Sequence, residues 1–415
     1  MRETSNIEYK EKLTDTFLKT VSAFSNYGGG IIYFGINDSG EEVGVDNPQK
    51  LCLDIENKIN DSIDPNPLYS VSINEQTGVV ILSVKEGIFK PYFYKSKAYK
   101  RNDSATIEVD RLELSRLILE GQNMSFEEIK SRKKELTFDY LCEKLNEQLG
   151  IKDITQDVLK TLGLIDDEPN YNNAALLLSD ENSFPGIDIV SFGDSISIIL
   201  NRETIENESI LKMYDDVLDI YHKNYQYEEI SGSTRIEKEL IPEKAYREAV
   251  ANAIVHRMWD VNARINIEMY KDRIEITSPG GLPKGISVDD YLRGGISIPR
   301  NPIIGYVFLR LKMIERLGTG IRRINESYAE SASKPNYIIS DETIKIILPV
   351  LTDGTELTKD ERNIVSVIKN RTASSSEIVA QTGFGKTKVV SLLNDLVERG
   401  YVEKVGVGRG TEYRA

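Results

Sequence analysis

Glu248 and Asn252 stand four residues apart in the run REAVANAIVHRMW (247–259), whose apolar residues recur at helical spacing. Side chains at i and i+4 share one helix face, so this carboxylate and this amide are expected to point into one cavity. Downstream, the strand-like segment Asp272-Arg273-Ile274-Glu275-Ile276-Thr277-Ser278 opens into Pro279-Gly280-Gly281-Leu282-Pro283. After SIPRNPIIGYVF, the segment ERLGTGIRRI places Gly318-Thr319-Gly320 at an expected helix start. Glycines after a strand let the backbone approach a ligand closely. A glycine pair opening a helix presents N–H groups to phosphate. Taken singly, each feature also suits an ordinary α+β domain with a solvated carboxylate and turn glycines.

The order of the three resembles the N box, first glycine box and second glycine box of the GHKL ATPase superfamily. It is most similar to the compact variant of RecG-like and Schlafen-related bacterial regulators. The resemblance implies a GHKL-like α/β sandwich over 241–350, with 123–240 as the helical and strand-bearing part that leads into it. It implies ATP or a related nucleotide with Mg²⁺ as cofactor, Glu248 as general base and Asn252 as the Mg²⁺ ligand. The implied nucleotide contacts are Asn252, His256, Ser278, Gly280, Gly281, Gly318, Thr319 and Gly320, His256 alternatively packing at the helix end. Ser278 stands where the family carries an adenine-binding aspartate, and the segment between the glycine boxes is short. Base identity and hydrolysis are left open.

Residues 1–122 read as one α+β unit. Leu13, Phe17, Val21 and Phe24 form a helical stripe, Gly28-Gly29-Gly30 breaks it, and Ile31–Ile36 is a short buried strand. The segments ETSNIEYK (3–10), AFSN (23–26), the 32–38 strand end and YKRNDS (99–104) resemble the Alba-like domain of Schlafen proteins. That resemblance implies a possible nuclease in which Glu3, Glu8 and Asp38 hold divalent ions and polarise water. Asn37 stands where an acid is preferred. Alternatively Lys95, Lys97, Lys100 and Arg101, alternating with aromatics, contact nucleic acid or a protein partner. A lysine-rich helix is expected around Ser125–Leu136, two short helices between Phe138 and Leu164, strands at Ala174–Asp180, Asp188–Phe192 and Ser195–Leu200, and a long helix from Ser209 to Lys223.

Residues 357–415 read as three helices followed by a β-hairpin, the pattern of a winged helix-turn-helix. In that fold the third helix enters the major groove and the wing touches phosphate. Lys386, Thr387 and Lys388 open the third helix and Arg409 lies on the wing tip, so these four are the expected DNA contacts. From Thr358 to Ala415 ten Lys and Arg face seven Asp and Glu, whereas the whole chain carries −14. A nucleic-acid surface must therefore be local.

Two cysteines and two histidines leave no basis for a zinc site or a disulfide framework. No apolar run reaches about 18 residues and the amino terminus is charged, so a membrane span and a secretory signal are not expected. The combined expectation is an α+β multidomain, cytoplasmic, homodimeric DNA-binding transcriptional regulator. Its activity would be modulated by a nucleotide in a divergent GHKL-type pocket. The alternative is a metal-dependent RNA or DNA nuclease of Schlafen type.

Overall fold

The stripe Phe17, Val21, Phe24 organises the first of two units, Met1–Lys130. The computed structural model describes all residues except Met1, Asp38, 232–233, 284, 296–297, 315–317, 353–358, 370, 399 and 407–410. Strand β1 (Ile7–Lys10) leads to helix α1 (Phe17–Asn26) and strand β2 (Gly30–Phe34), which runs parallel to β1. A β-carbon on Gly30 would lie 2.5 Å from the Phe24 ring, so only glycine permits this approach. Helix α2 (Pro48–Ser62) is capped by Asn47 and followed by β3 (Ile63–Asp64), β4 (Tyr69–Asn74) and β5 (Val79–Val84). These close a sheet of order β1-β2-β5-β4. Strands β6 (Phe93–Tyr94), β7 (Lys97–Asn102) and β8 (Ala105–Glu108) extend β3 into a second sheet, and α3 (Arg111–Gly121) begins with an Asp110–Glu113 capping box. The buried Asn26 amide ties α1 to the loop before β6, donating to the Tyr92 carbonyl at 3.0 Å and accepting from its N–H at 2.8 Å.

The second unit, Ser131–Ala415, begins with short helices α4 (Asp139–Leu149), α5 (Gln156–Thr161) and α6 (Asn173–Leu178). Strands β9 (Ile187–Phe192) and β10 (Ile199–Ile205) precede α7 (Ile210–Tyr225), and a hairpin of β11 (Gln226–Ser231) and β12 (Thr234–Glu239) leads into α8 (Glu243–Val255). Then come β13 (Ile265–Met269), β14 (Arg273–Pro279), α9 (Val288–Arg293), α10 (Pro302–Arg310), α11 (Gly320–Ser327), β15 (Asn336–Ile339) and β16 (Thr343–Pro349). The six-stranded sheet has the order β10-β9-β13-β14-β16-β15, and only the β9–β13 pair is parallel. Helix α8 packs on β14 and β16 and touches α7, α10 and α11.

The carboxy-terminal part holds α12 (Lys359–Ile368), β17 (Ala373–Ser374), α13 (Ser375–Thr382), α14 (Lys386–Glu398), β18 (Glu403–Val405) and β19 (Glu412–Arg414). Ile364, Ile368, Ile378, Val389, Leu393 and Leu396 make its core. A Ser374–Glu377 capping box starts α13, and Gly383 ends it at φ +70°.

Local chemistry explains where the elements depart from the sequence reading. The expected strand at Ala174–Asp180 is helix α6, because the Asn172 side chain accepts from the Ala175 N–H and nucleates a turn. Short apolar runs do not distinguish strand from buried helix. The expected helix at Ser125–Leu136 reduces to a 3₁₀ turn at Phe126–Glu128. The strand expected at Ser195–Leu200 lies later, at Ile199–Ile205, where it pairs with β9.

Glu8 on β1 is almost fully buried between the Arg101 guanidinium and the Lys10 ammonium, the latter 2.5 Å away. Arg101 also reaches the Thr4 carbonyl at 3.0 Å. Removing one partner of a buried ion pair leaves an uncompensated charge, so Arg101→Ala is expected to destabilise the chain by about 3 kcal/mol. A denaturant titration that places the variant's first transition with the wild type's would refute this.

Candidate functional site

Helix α8 is held at its end by Arg300 and Asn301, to which the sequence reading gave no role, and by Ser278. The last carbonyls of a helix lack intrahelical donors. Asn301, itself buried, donates Nδ2 to the carbonyls of Val255 and Arg257, each at 2.8 Å. Arg300 donates to the carbonyls of His256 at 2.8 Å and Gly281 at 2.9 Å. The Ser278 hydroxyl, on β14, donates to the Ala253 carbonyl at 2.8 Å. On the opposite face Tyr246 stacks on Tyr221, with ring centroids 4.6 Å apart. Arg300 and Asn301 therefore form a clamp that sets the position of Glu248 and Asn252.

The sequence-predicted pair meets the start of α11. A β-carbon on Gly320 would lie 2.6 Å from Asn252 Nδ2 and 3.1 Å from Glu248 Oε2, so the helix start approaches both side chains without room for a substituent. Glu248 is nearly buried, and its Oε1 accepts from Arg323 Nη1 at 3.3 Å. Arg323, one turn into α11, escaped the sequence reading because the run GIRRI offers two arginines and only the packing selects one. Glu248 is thus half of an ion pair, and a general-base role requires it to leave that partner.

Three hollows lie around this contact. Asn252, His256, Tyr291, Gly318 and Gly320 line one of about 50 Å³, and Ser278 and Gly280 line a smaller one that shares Asn252, His256 and Tyr291. Nucleotide-sized ligands occupy pockets of roughly 300–1,000 Å³. Tyr291 of α9 lines the first two hollows, and the Gly295 N–H donates to the Gly318 carbonyl at 2.8 Å. The third hollow, about 330 Å³, lies beside Glu248 and Arg323.

The glycines divide by role. Gly280, at φ +107°, donates its N–H to the Glu342 carbonyl at 2.7 Å, and a β-carbon there would lie 2.6 Å from Met258. A β-carbon on Gly281 would lie 2.5 Å from the Asp341 carbonyl oxygen. The first glycine pair is therefore required for packing, and the Gly280 N–H points to backbone rather than to a phosphate. Gly318 (φ +85°) and Gly320 line the hollow, with Thr319 at the N-cap of α11, where its side chain makes no capping bond. His256 also lines the hollow; burial and the nearby Arg300 push its pKa down to about 4, so its imidazole is neutral near pH 7.

The other predicted residues are differently placed. Glu3 accepts the Tyr9 N–H at 2.9 Å, Glu8 is paired as described, and Asp38 lies outside the described residues. Asn37 closes a turn by accepting the N–H groups of Ser39 and Glu41. Lys97 pairs with Glu108 and Lys100 with Glu113, which with Arg101 engages three of the four expected basic contacts within the unit. Among the described residues no group of three or more His, Cys, Asp and Glu could hold a metal ion. Lys386, Thr387 and Lys388 are exposed at the start of α14; Lys388 contacts Asp360 at 2.5 Å and lies over the Phe384 ring. Arg409 lies outside the described residues. None of the described helices is long and apolar enough to cross a membrane.

Three family models match the chain in order. Residues 3–110 match the Schlafen AlbA_2 model, 262–348 the putative ATP-dependent DNA helicase recG C-terminal model, and 369–406 the IclR helix-turn-helix model. The chain thus has the composite layout of a Schlafen AlbA-type segment, a recG-type ATPase-like segment and a helix-turn-helix. The recG-type match spans both glycine boxes but begins after α8. An uncharacterized ATP-binding protein of Ureaplasma parvum is 39% identical over 90 residues, a stretch that covers 20% of this chain and only 24% of that relative. The crystal structure of the DIP2311 protein from Corynebacterium diphtheriae matches with a TM-score of 0.50 at 18% identity, covering 99% of this chain and 92% of that one. That likeness concerns the fold.

Two outcomes follow from the site. Gly320→Ala must displace Asn252 or the start of α11, so it is expected to destabilise the protein by about 1–3 kcal/mol, read as a lowered midpoint of chemical unfolding. His256 has a folded pKa below its ordinary value of 6.5. As pH falls below that value the unfolded chain takes up a proton that the folded chain refuses until about pH 4, so stability falls across this window. Melting temperature should therefore drop less between about pH 7 and about pH 5 in His256→Gln than in wild type; an equal drop would remove His256 from the account.

Proposed function

We propose that the protein is a DNA-binding transcriptional regulator whose DNA affinity is set by an ATP-like nucleotide bound in the hollow that Asn252, His256, Tyr291, Gly318 and Gly320 line. The observation that carries this reading is the meeting of Glu248 and Asn252 with Gly320, which places a carboxylate and an amide at a glycine helix start. The recG-type and helix-turn-helix matches and the ATP-binding relative support the two halves of the reading. In this reading Asn252 and neutral His256 face the nucleotide, the base lies toward Ser278, and the N-terminal N–H groups of α11 at Gly318–Gly320 receive phosphate. Asn252 Oδ1 is the protein oxygen available to Mg²⁺, which would arrive with the phosphates and neutralise their charge. Entry requires α9 and Tyr291 to withdraw from the hollow. A ligand that binds only the opened form shifts the population toward it, and that shift is the signal passed to the DNA-binding part.

Lys386, Thr387 and Lys388 would meet DNA, with Arg409 on the wing, and a homodimer would match a two-fold operator. Lys388 would have to exchange Asp360 for phosphate. The nuclease alternative at Glu3, Glu8 and Asp38 is disfavoured because Glu8 is already neutralised by Arg101 and Lys10.

The test is fluorescence anisotropy of the full chain on DNA fragments selected from a random pool, with and without ATP and Mg²⁺. ATP is expected to change DNA affinity about fivefold or more. Asn252→Ala should abolish that change while leaving nucleotide-free DNA binding intact, and Lys386→Ala should weaken binding on all sequences. No response to ATP in the wild type would reject the nucleotide coupling, and Mn²⁺-dependent tRNA cleavage lost in Glu8→Ala would favour the nuclease.

A further inference from the structure

The hollow of about 330 Å³ beside Glu248 has no part in the reading above. Four cations, Lys244, Arg247, Lys312 and Arg323, line it together with three carboxylates, Glu239, Glu243 and Glu248. The carboxylates do not neutralise all four. Glu243 lies 3.1 Å from Gln226 Nε2 and 3.6 Å from His222, and is 3.9 Å from Arg247. Among the described residues no carboxylate lies within ion-pair distance of Lys244 or Lys312. Lys312 is held at φ +55°, a left-handed conformation that a lysine rarely adopts. Such strain is retained where the surroundings demand it. Arg323 is bonded to Glu248, with side-chain exposures of 15% and 10%, so this pair is largely withdrawn from water.

Gly320 stands between this hollow and the one lined by Asn252, because its missing side chain faces both Glu248 and Asn252. We propose that the hollow is an anion site for a terminal phosphate group, and that Arg323 exchanges its partner from Glu248 to that phosphate when the group enters. This deepens the nucleotide reading and rests on it for the source of the phosphate. The physical basis is competition for one guanidinium. Its planar fork binds phosphate as well as carboxylate. Lys244, Arg247 and Lys312 add attraction for an anion that a lone carboxylate on α8 cannot draw on. Glu248, facing the entering phosphate as a like charge, opposes it as long as Arg323 remains with the carboxylate. Arrival of the phosphate therefore breaks the α8–α11 ion pair and frees Glu248 at the same moment. A ligand lacking a terminal phosphate that reaches the hollow leaves the pair closed.

The exchange assigns opposite signs to its two partners, which a merely structural ion pair would not. Calorimetric titration of the full chain with pyrophosphate, ATP and AMP would be compared for wild type, Arg323→Gln, Lys312→Gln and Glu248→Gln, each first shown to be folded by thermal melting. Arg323→Gln is expected to weaken pyrophosphate and ATP by about tenfold or more and to leave AMP unchanged. Lys312→Gln, at an exposed position, should weaken both by a smaller factor. Glu248→Gln should tighten pyrophosphate by about threefold or more, since it releases Arg323 and removes a like charge. Weaker or unchanged pyrophosphate binding in Glu248→Gln would overturn the exchange. ATP binding that is indifferent to Arg323 and Lys312 would also overturn it while leaving the nucleotide reading in place. Arg323-dependent binding of pyrophosphate with none of ATP or AMP would support the anion site and reject the nucleotide reading.

Discussion

The close approach of two helices at a residue without a side chain underlies the candidate site. Helix α8 brings Glu248 and Asn252 along one face, and α11 begins against both of them at Gly320. Interiors are close-packed, so a contact of this kind cannot relax to admit even one methyl group without moving a helix. The position of α8 is in turn determined by polar groups at its end. Arg300, Asn301 and Ser278 take up carbonyls that the helix cannot satisfy internally, and unsatisfied buried carbonyls are costly. Arg300 and Asn301, adjacent in sequence, thereby couple the start of α10 to the geometry of the carboxylate and amide.

Electrostatics distinguish the surfaces that can meet an anion from those that cannot. The chain is acidic overall, and several of its lysines and arginines are matched within their own units. The basic stripe on β7 illustrates this, since Lys97, Lys100 and Arg101 answer Glu108, Glu113 and Glu8. A charge that already has a partner gains little from a phosphate unless it releases that partner. The exposed start of α14 and the hollow beside Arg323 remain as places where positive charge outweighs local acid or can be exchanged.

Much of the architecture is legible in the sequence. Helical spacing of Phe17, Val21 and Phe24, the glycines after α1, the capping serine of α13 and the i, i+4 pair on α8 are local signals, and local signals survive in any context. The misread stretches were those where the pattern is short. Ala174–Asp180 has too few residues to separate a buried strand from a buried helix, and the outcome was decided by one asparagine cap. The β11–β12 hairpin went unread because its alternating charges and small turn residues imitate a solvated loop.

The amino-acid sequence by itself determined which residues share a helix face, where glycine breaks a helix or strand, and that the last part of an acidic chain carries net positive charge. These follow from periodicity, backbone freedom and composition, which need no distant partner. Only the tertiary structure decided that Gly280 and Gly281 are packing glycines while Gly320 meets the site, that Arg323 rather than Arg322 holds Glu248, and that Glu8 is enclosed by Arg101. Those outcomes depend on groups about 60 to 93 residues apart in the chain, brought together by sheet order and helix packing, which no local pattern encodes.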